Sequence, residues 1–165
     1  MRSPEELTTL FRERGWKVTP QRHCVFRILH DNPTHPTADA VYAVARGQMP
    51  TISLRTVYQT LNDLAAMGEV NVLDLGTGSV RFDPDRAAHH HLVCTSCGAV
   101  RDLFAEFPGL QVPAGREQGF TVGDAEVVFR GLCEACSAVG GPPAGAVGAE
   151  PLKIETVEPD SRRRR

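Results

Sequence analysis

The chain has 165 residues, 41% hydrophobic and 23% charged, and its 18 Lys and Arg against 20 Asp and Glu give a formal charge of −2. That balance excludes a surface coated in positive charge, so any contact with nucleic acid must be local. No apolar run approaches the roughly 20 residues that span a bilayer and the N-terminus has no apolar signal core, which predicts a cytoplasmic chain with reduced thiols and no membrane partner.

Helix signals fill residues 1–83, where nine basic and nine acidic side chains balance. Ser3 caps a helix from Pro4 to Arg14 that stops at Gly15. Thr19 and Pro20 open a second, with Val25, Phe26, Ile28 and Leu29 on its apolar stripe. Thr37 caps a third, carrying Ala38, Val41, Tyr42 and Ala45. Ser53 caps a fourth, with Leu54, Val57, Tyr58, Leu61, Leu64 and Ala65 in register and Gly68 as its stop. The period then changes: Val70 to Leu75, a turn over Gly76 to Ser79, and Val80 to Asp83 read as a hairpin. Helices ending in a two-stranded hairpin suggest a winged helix-turn-helix whose fourth helix faces the DNA major groove. Ser53, Arg55, Thr56, Gln59 and Thr60 project from that helix. They suit phosphates and base edges, and they equally suit an ordinary solvent-facing surface.

Residues 84–137 hold four of the five cysteines and three of the six histidines. Cys94-Thr-Ser-Cys97 and Cys133-Glu-Ala-Cys136 are two C-x-x-C pairs. Together they complete a four-thiolate shell of the closed, tetrahedral kind in which Zn2+ serves structure. A redox dithiol would sit at a strand-to-helix junction of a βαβ unit, whereas the flanks Leu92-Val93 and Glu126 to Leu132 read as strands. An iron–sulfur cluster also takes four cysteines, but two knuckles in a thin core fit zinc better. Cys24, in an apolar helix, reads as a small buried hydrophobe. Residues 138–165, rich in Gly, Pro and Ala and ending SRRRR, read as a disordered tail.

His89-His90-His91 runs directly into the first cysteine pair. In an extended chain His89 and His91 share a side and His90 takes the other. Further ligands for one ion must come from elsewhere, and His35, Asp83 and Asp102 are the candidates. Three nitrogens and two oxygens suit Fe2+, Mn2+ or Zn2+ without choosing among them. A surface histidine tract with turn residues at His35 and Asp83 is the plainer reading of the same positions.

Val18-Thr-Pro-Gln-Arg22, His35-Pro-Thr-Ala-Asp39, Ser53-Leu-Arg-Thr-Val-Tyr58, Arg81-Phe-Asp83, His89-His-His91 and the two cysteine pairs occur in an order that resembles the ferric uptake regulator (Fur) family of repressors, over roughly residues 5–137. The resemblance implies an α+β protein: an N-terminal winged helix-turn-helix over 1–83, then a small α/β dimerisation domain with a four-cysteine zinc site over 84–137. It implies structural Zn2+ on Cys94, Cys97, Cys133 and Cys136. It implies a regulatory Fe2+ or Mn2+ on His35, Asp83, His89, His91 and Asp102, as in the peroxide-sensing (PerR-like) branch, where Asp stands at the position of Asp83 and iron-uptake members tend to carry Glu. The expected partners are a palindromic double-stranded DNA operator and a second copy of the chain. The DNA-contact candidates are Arg22, Ser53, Arg55, Thr56, Tyr58 and Gln59.

Two departures stand out. A further metal site of several relatives has no match at Ala88, His90 and Gly123 to Ala125. Residues 107–119, with two prolines and three glycines, are poor material for the family's dimerisation helix. An iron-uptake or other metal-uptake repressor is the nearest alternative function. Outside the family, a metalloenzyme would need an open coordination position and a cleft, and a zinc-stapled interaction module would have no use for the polar face of the fourth helix.

Overall fold

A computed structural model describes residues 1–140. Four helices come first: α1 (Pro4–Glu13), α2 (Pro20–Leu29), α3 (Ala38–Gln48) and α4 (Leu54–Ala66). Each begins where a hydroxyl caps a free amide: Ser3, Thr19, Thr37 and Ser53 accept from the N–H three residues on. Ser3 and Glu6 close a full capping box. Leu7, Phe11, Val25, Phe26, Leu29, Val41, Val57, Leu61 and Leu64 from these helices form one core with no exposed surface. Strands β1 (Asn71–Leu73) and β2 (Arg81–Asp83) pair antiparallel as the wing, Val72 opposite Phe82. The segment before α3 joins the wing, since the Phe82 N–H donates to the Pro36 carbonyl at 3.0 Å and Thr37 bridges Arg81.

The second half is a three-stranded sheet in the order β4-β3-β5: β3 (His90–Cys94), β4 (Val100–Leu103) and β5 (Val128–Gly131). β3 and β4 run antiparallel with His91 opposite Asp102, and β5 lies parallel to β3 with Val128 opposite His91. A short helix, α5 (Glu134–Ala138), follows Cys133. It reaches the first residue of the tail expected to be disordered, and residues 141–165 lie outside the described part. A parallel pair needs a crossover of a dozen or more residues, usually a helix. Residues 104–127 make this one with turns and bends alone. Pro108 and Pro113 remove helix donors, and Gly109, Gly115 and Gly119 all take positive φ. Leu73 of β1 and Leu75 in the turn of the wing pack with Val93 and Val100 of the sheet in a second, smaller core. That core and the Arg130 donation to the Leu75 carbonyl join the two halves.

One expectation is corrected. Thr60 is fully buried, not part of the polar face. It stands one turn after Val57, on the apolar stripe, and its hydroxyl donates to the Thr56 carbonyl at 2.7 Å, so it enters the core with no unmet hydrogen bond.

Candidate metal centre

The cysteines gather at the far end of the sheet. Cys94 ends β3, Cys97 follows it in a tight turn, and Cys133 and Cys136 bracket the start of α5. All are free thiols, and the four Sγ atoms lie within 4.8 Å of one another. Cys97 Sγ is 3.8 Å from Cys133 Sγ, and ~3.8 Å is the edge of a tetrahedron built on Zn–S bonds of ~2.3 Å. The turn closes because Gly98, at φ +70, donates its N–H to the Cys94 carbonyl at 2.9 Å. Backbone amides of Cys97 and Cys133 stabilise the Cys94 thiolate and lower its pKa to about 6. Cys136 is pushed up to about 12: a Ser96 hydrogen bond is its largest influence and favours the thiolate, but Cys133, Cys97 and Cys94 together outweigh it. Thiols competing for protons in this way present the donor set that a soft divalent ion deprotonates.

The second cluster lies where the halves meet. His35 comes from the turn before α3, Asp83 ends β2, His89 and His91 flank the start of β3, and Asp102 is on β4. Ligand atoms of His35, Asp83, His89 and His91 lie within 4.8 Å of one another. Asp102 Oδ1 is 2.6 Å from His35 Nε2, 3.3 Å from His89 Nε2 and 3.8 Å from His91 Nε2. Asp83 Oδ2 is 3.3 Å from His89 Nε2, and its Oδ1 is 3.6 Å from His35 Nε2. His35 and Asp83 are at most 1% exposed. His90 points the other way, its ring on Phe107.

Proton positions follow from the outer contacts. His89 Nδ1 is 2.7 Å from the Ala87 carbonyl and His91 Nδ1 is 2.7 Å from Glu126 Oε1, so Nδ1 donates in both rings and, in the neutral tautomer this selects, Nε2 carries the lone pair. The two Nε2 atoms are 3.1 Å apart; that of His89 faces both aspartates and that of His91 faces Asp102. His35 Nε2 and Asp102 Oδ1 make no aligned hydrogen bond despite their 2.6 Å separation. Imidazole nitrogens and carboxylate oxygens held this close with no proton between them repel unless a cation stands among them. Burial pushes the His35 imidazole below its ordinary value, against the raising influence of Asp102 and Asp83, so it stays a neutral ligand. Its backbone takes φ +48, an uncommon conformation for histidine that sits at functional sites when surroundings enforce it.

The DNA-contact candidates divide. Ser53, Arg55, Tyr58 and Gln59 are exposed on α4, and Thr56 is half-buried with its hydroxyl 2.9 Å from Ser53 Oγ. Arg22 turns inward: it pairs with Asp63 at 2.7 Å and lies over the Phe11 ring at 5.3 Å. Gln59 donates to the same Asp63 at 2.8 Å. Sequence spacing gives no sign of Glu126, because its contact with His91 depends on the parallel register of β3 and β5.

A winged helix joined to a cysteine-stapled sheet, with cation donors gathered where the two meet, defines a metal-responsive DNA-binding regulator. Residues 13–130 match the Ferric uptake regulator family, and the chain belongs to it. It is 37% identical over 136 residues to the peroxide operon regulator of Bacillus subtilis (strain 168), covering 81% of this chain and 92% of that protein. It is 32% identical over 133 residues to the peroxide-responsive repressor PerR of Staphylococcus aureus (strain USA300), covering 80% and 90%. A solved zinc-bound manganese uptake regulator superposes with a TM-score of 0.64 at 30% identity, covering 80% of this chain and 99% of that one. Members of the family are transcriptional regulators, not enzymes; they bind DNA and are dimeric. Among the described residues no helix is long and apolar enough to cross a membrane.

Proposed function

We propose that this chain is a peroxide-responsive, metal-dependent repressor that works in the cytoplasm as a homodimer on a palindromic operator. Residues 1–83 form the DNA-reading half and 84–137 the dimerising half. Cys94, Cys97, Cys133 and Cys136 hold structural Zn2+. His35, Asp83, His89, His91 and Asp102 hold a regulatory Fe2+ or Mn2+.

The observation that carries this reading is the convergence of five donors from both halves. Three neutral imidazoles and two carboxylates carry two negative charges, which a divalent ion balances. His35 and Asp83 belong to the winged half and the other three to the sheet, so holding one ion fixes the hinge. A fixed hinge sets the distance between the two α4 helices of a dimer, and half-sites one helical turn apart select that distance. The ion favours the closed form to the extent that it binds that form more tightly. Ser53, Arg55, Thr56, Tyr58 and Gln59 then face DNA from the first turns of α4, where the helix N-terminus also favours phosphate, and Arg22 braces α2 against α4 through Asp63. A bound Fe2+ would supply the electrons by which a peroxide is reduced, and His35, Asp83, His89, His91 and Asp102 would hold it there. The imidazoles of His35, His89 and His91 line that place, and their oxidation removes the nitrogen donors on which closure depends.

The test is a gel-shift titration on a palindromic promoter fragment with Mn2+ or Fe2+, beside metal analysis. His35→Ala and Asp83→Ala are expected to lose metal-dependent DNA binding and keep their zinc; full affinity in both variants defeats the reading. Peroxide is expected to release the Fe2+-loaded chain from DNA and spare the Mn2+-loaded one. Release of neither assigns the chain to metal uptake instead.

A further inference from the structure

The three imidazoles of the cation site have three different outer partners. His89 Nδ1 meets a backbone carbonyl, His35 Nδ1 has no hydrogen-bond partner among the described residues, and His91 Nδ1 meets a carboxylate at 2.7 Å, that of Glu126. We propose that Glu126 is a positioning residue for the regulatory cation: it fixes the tautomer and ring orientation of His91 and so presents Nε2 to the ion. The inference rests on the reading of that site given above.

The backbone delivers this carboxylate in register. Glu126 lies just before β5, and the next residue is tied to β3 twice. The His91 N–H donates to the Val127 carbonyl at 3.1 Å, and the Val127 N–H donates to His90 Nδ1 at 3.2 Å. The nearby Asp124 does not compete, because its side chain accepts from the Ala125 N–H at 2.7 Å. With Nδ1–H committed to Glu126, His91 has its lone pair on Nε2, 3.1 Å from His89 Nε2 and 3.8 Å from Asp102 Oδ1. A carboxylate behind an imidazole also strengthens it as a donor to metal, and losing such a partner commonly weakens metal affinity about 10- to 100-fold. His91 is thereby the best-held nitrogen of the three. Its support comes from the crossover segment rather than from the winged half, so the ordering of that segment feeds directly into the site.

The experiment uses the full chain with zinc retained and other cations removed. Mn2+ affinity is measured by competition with a metal indicator for the native chain, Glu126→Ala, Glu126→Gln and His35→Ala. Nitrogen–proton NMR of the imidazoles is recorded before Mn2+ is added. Glu126→Ala is expected to weaken Mn2+ binding about 10- to 100-fold and to lose the hydrogen-bonded His91 Nδ1–H resonance, with zinc content and melting temperature unchanged. Glu126→Gln, whose amide oxygen still accepts that proton, keeps the resonance and recovers part of the affinity. Native-like Mn2+ binding by Glu126→Ala overturns the proposal, as does a Gln variant no better than Ala. If the native chain binds Mn2+ no more tightly than His35→Ala, the cation site itself fails and takes this role with it.

Discussion

Arg81 holds two distant carbonyls with one guanidinium. Its Nη1 donates to the His35 carbonyl at 3.0 Å and its Nη2 to the Gly98 carbonyl. The first carbonyl belongs to a cation donor in left-handed backbone, and the second to the turn that closes the first cysteine pair. A lysine ammonium is a single point and cannot span both. Arg81→Lys is therefore expected to lower stability by about 1–3 kcal/mol in denaturant unfolding and to weaken Mn2+ binding while zinc stays bound. Native values on both measurements would show that the two sites are not linked through this residue. The sequence shows Arg81 in a hairpin and in the Arg81-Phe-Asp83 motif, but nothing in its neighbourhood reveals which carbonyls it will meet. The same limit hides Glu126, 35 residues from its partner His91. It also disguises Arg22, which looks like a free surface cation until Asp63 is seen beside it. Ligating types at tight spacing fare better: both cysteine pairs and the alternation of His89 and His91 are readable before any coordinates, since a knuckle and a strand fix side-chain direction locally.

At the scale of elements, the helices follow from their caps and apolar spacing, and the wing from its glycine turn. The register of β4 does not. β4 is short and reads as no more than the residues after a knuckle, yet its antiparallel register sets Asp102 opposite His91. The crossover over 104–127 has the proline and glycine content of a non-helical segment and is one. Helix α4 contributes to the core and is proposed to contact DNA, and Ser53 separates the two roles. Its Oγ accepts the Thr56 N–H at 3.1 Å, so Ser53→Ala is expected to cost about 1 kcal/mol of stability. Ser53→Asp keeps a cap and complements the helix dipole, so denaturant unfolding should leave stability near native. It also places a negative charge where phosphate is expected, and a gel shift at several salt concentrations should show weaker binding. Undiminished DNA affinity in Ser53→Asp would remove the start of α4 from the interface.

Across the whole molecule the two metal sites are unequal. The winged half has its own core, built on Leu7, Phe11, Phe26, Leu61 and their neighbours. The sheet has little: Val93 and Val100, joined by Leu73 and Leu75 from the wing. A core that small does not offset the ordering entropy of the strands around it, and cysteine-bound zinc contributes apparent folding free energy of about 10–16 kcal/mol in small zinc domains. The sheet therefore stands on Cys94, Cys97, Cys133 and Cys136. Three of the proposed regulatory donors, His89, His91 and Asp102, stand on the sheet in turn. Loss of zinc should thus abolish regulatory cation binding, whereas loss of the cation should leave zinc in place. Cys94→Ser tests the first half of that asymmetry. It is expected to lose zinc and amide protection across β3, β4 and β5 in hydrogen exchange, and to stop binding Mn2+, while protection in α1, α2 and α4 persists. A Cys94→Ser chain that lacks zinc yet binds Mn2+ at native affinity would mean that the histidines hold their arrangement without the staple, and the dependence of one site on the other would be gone.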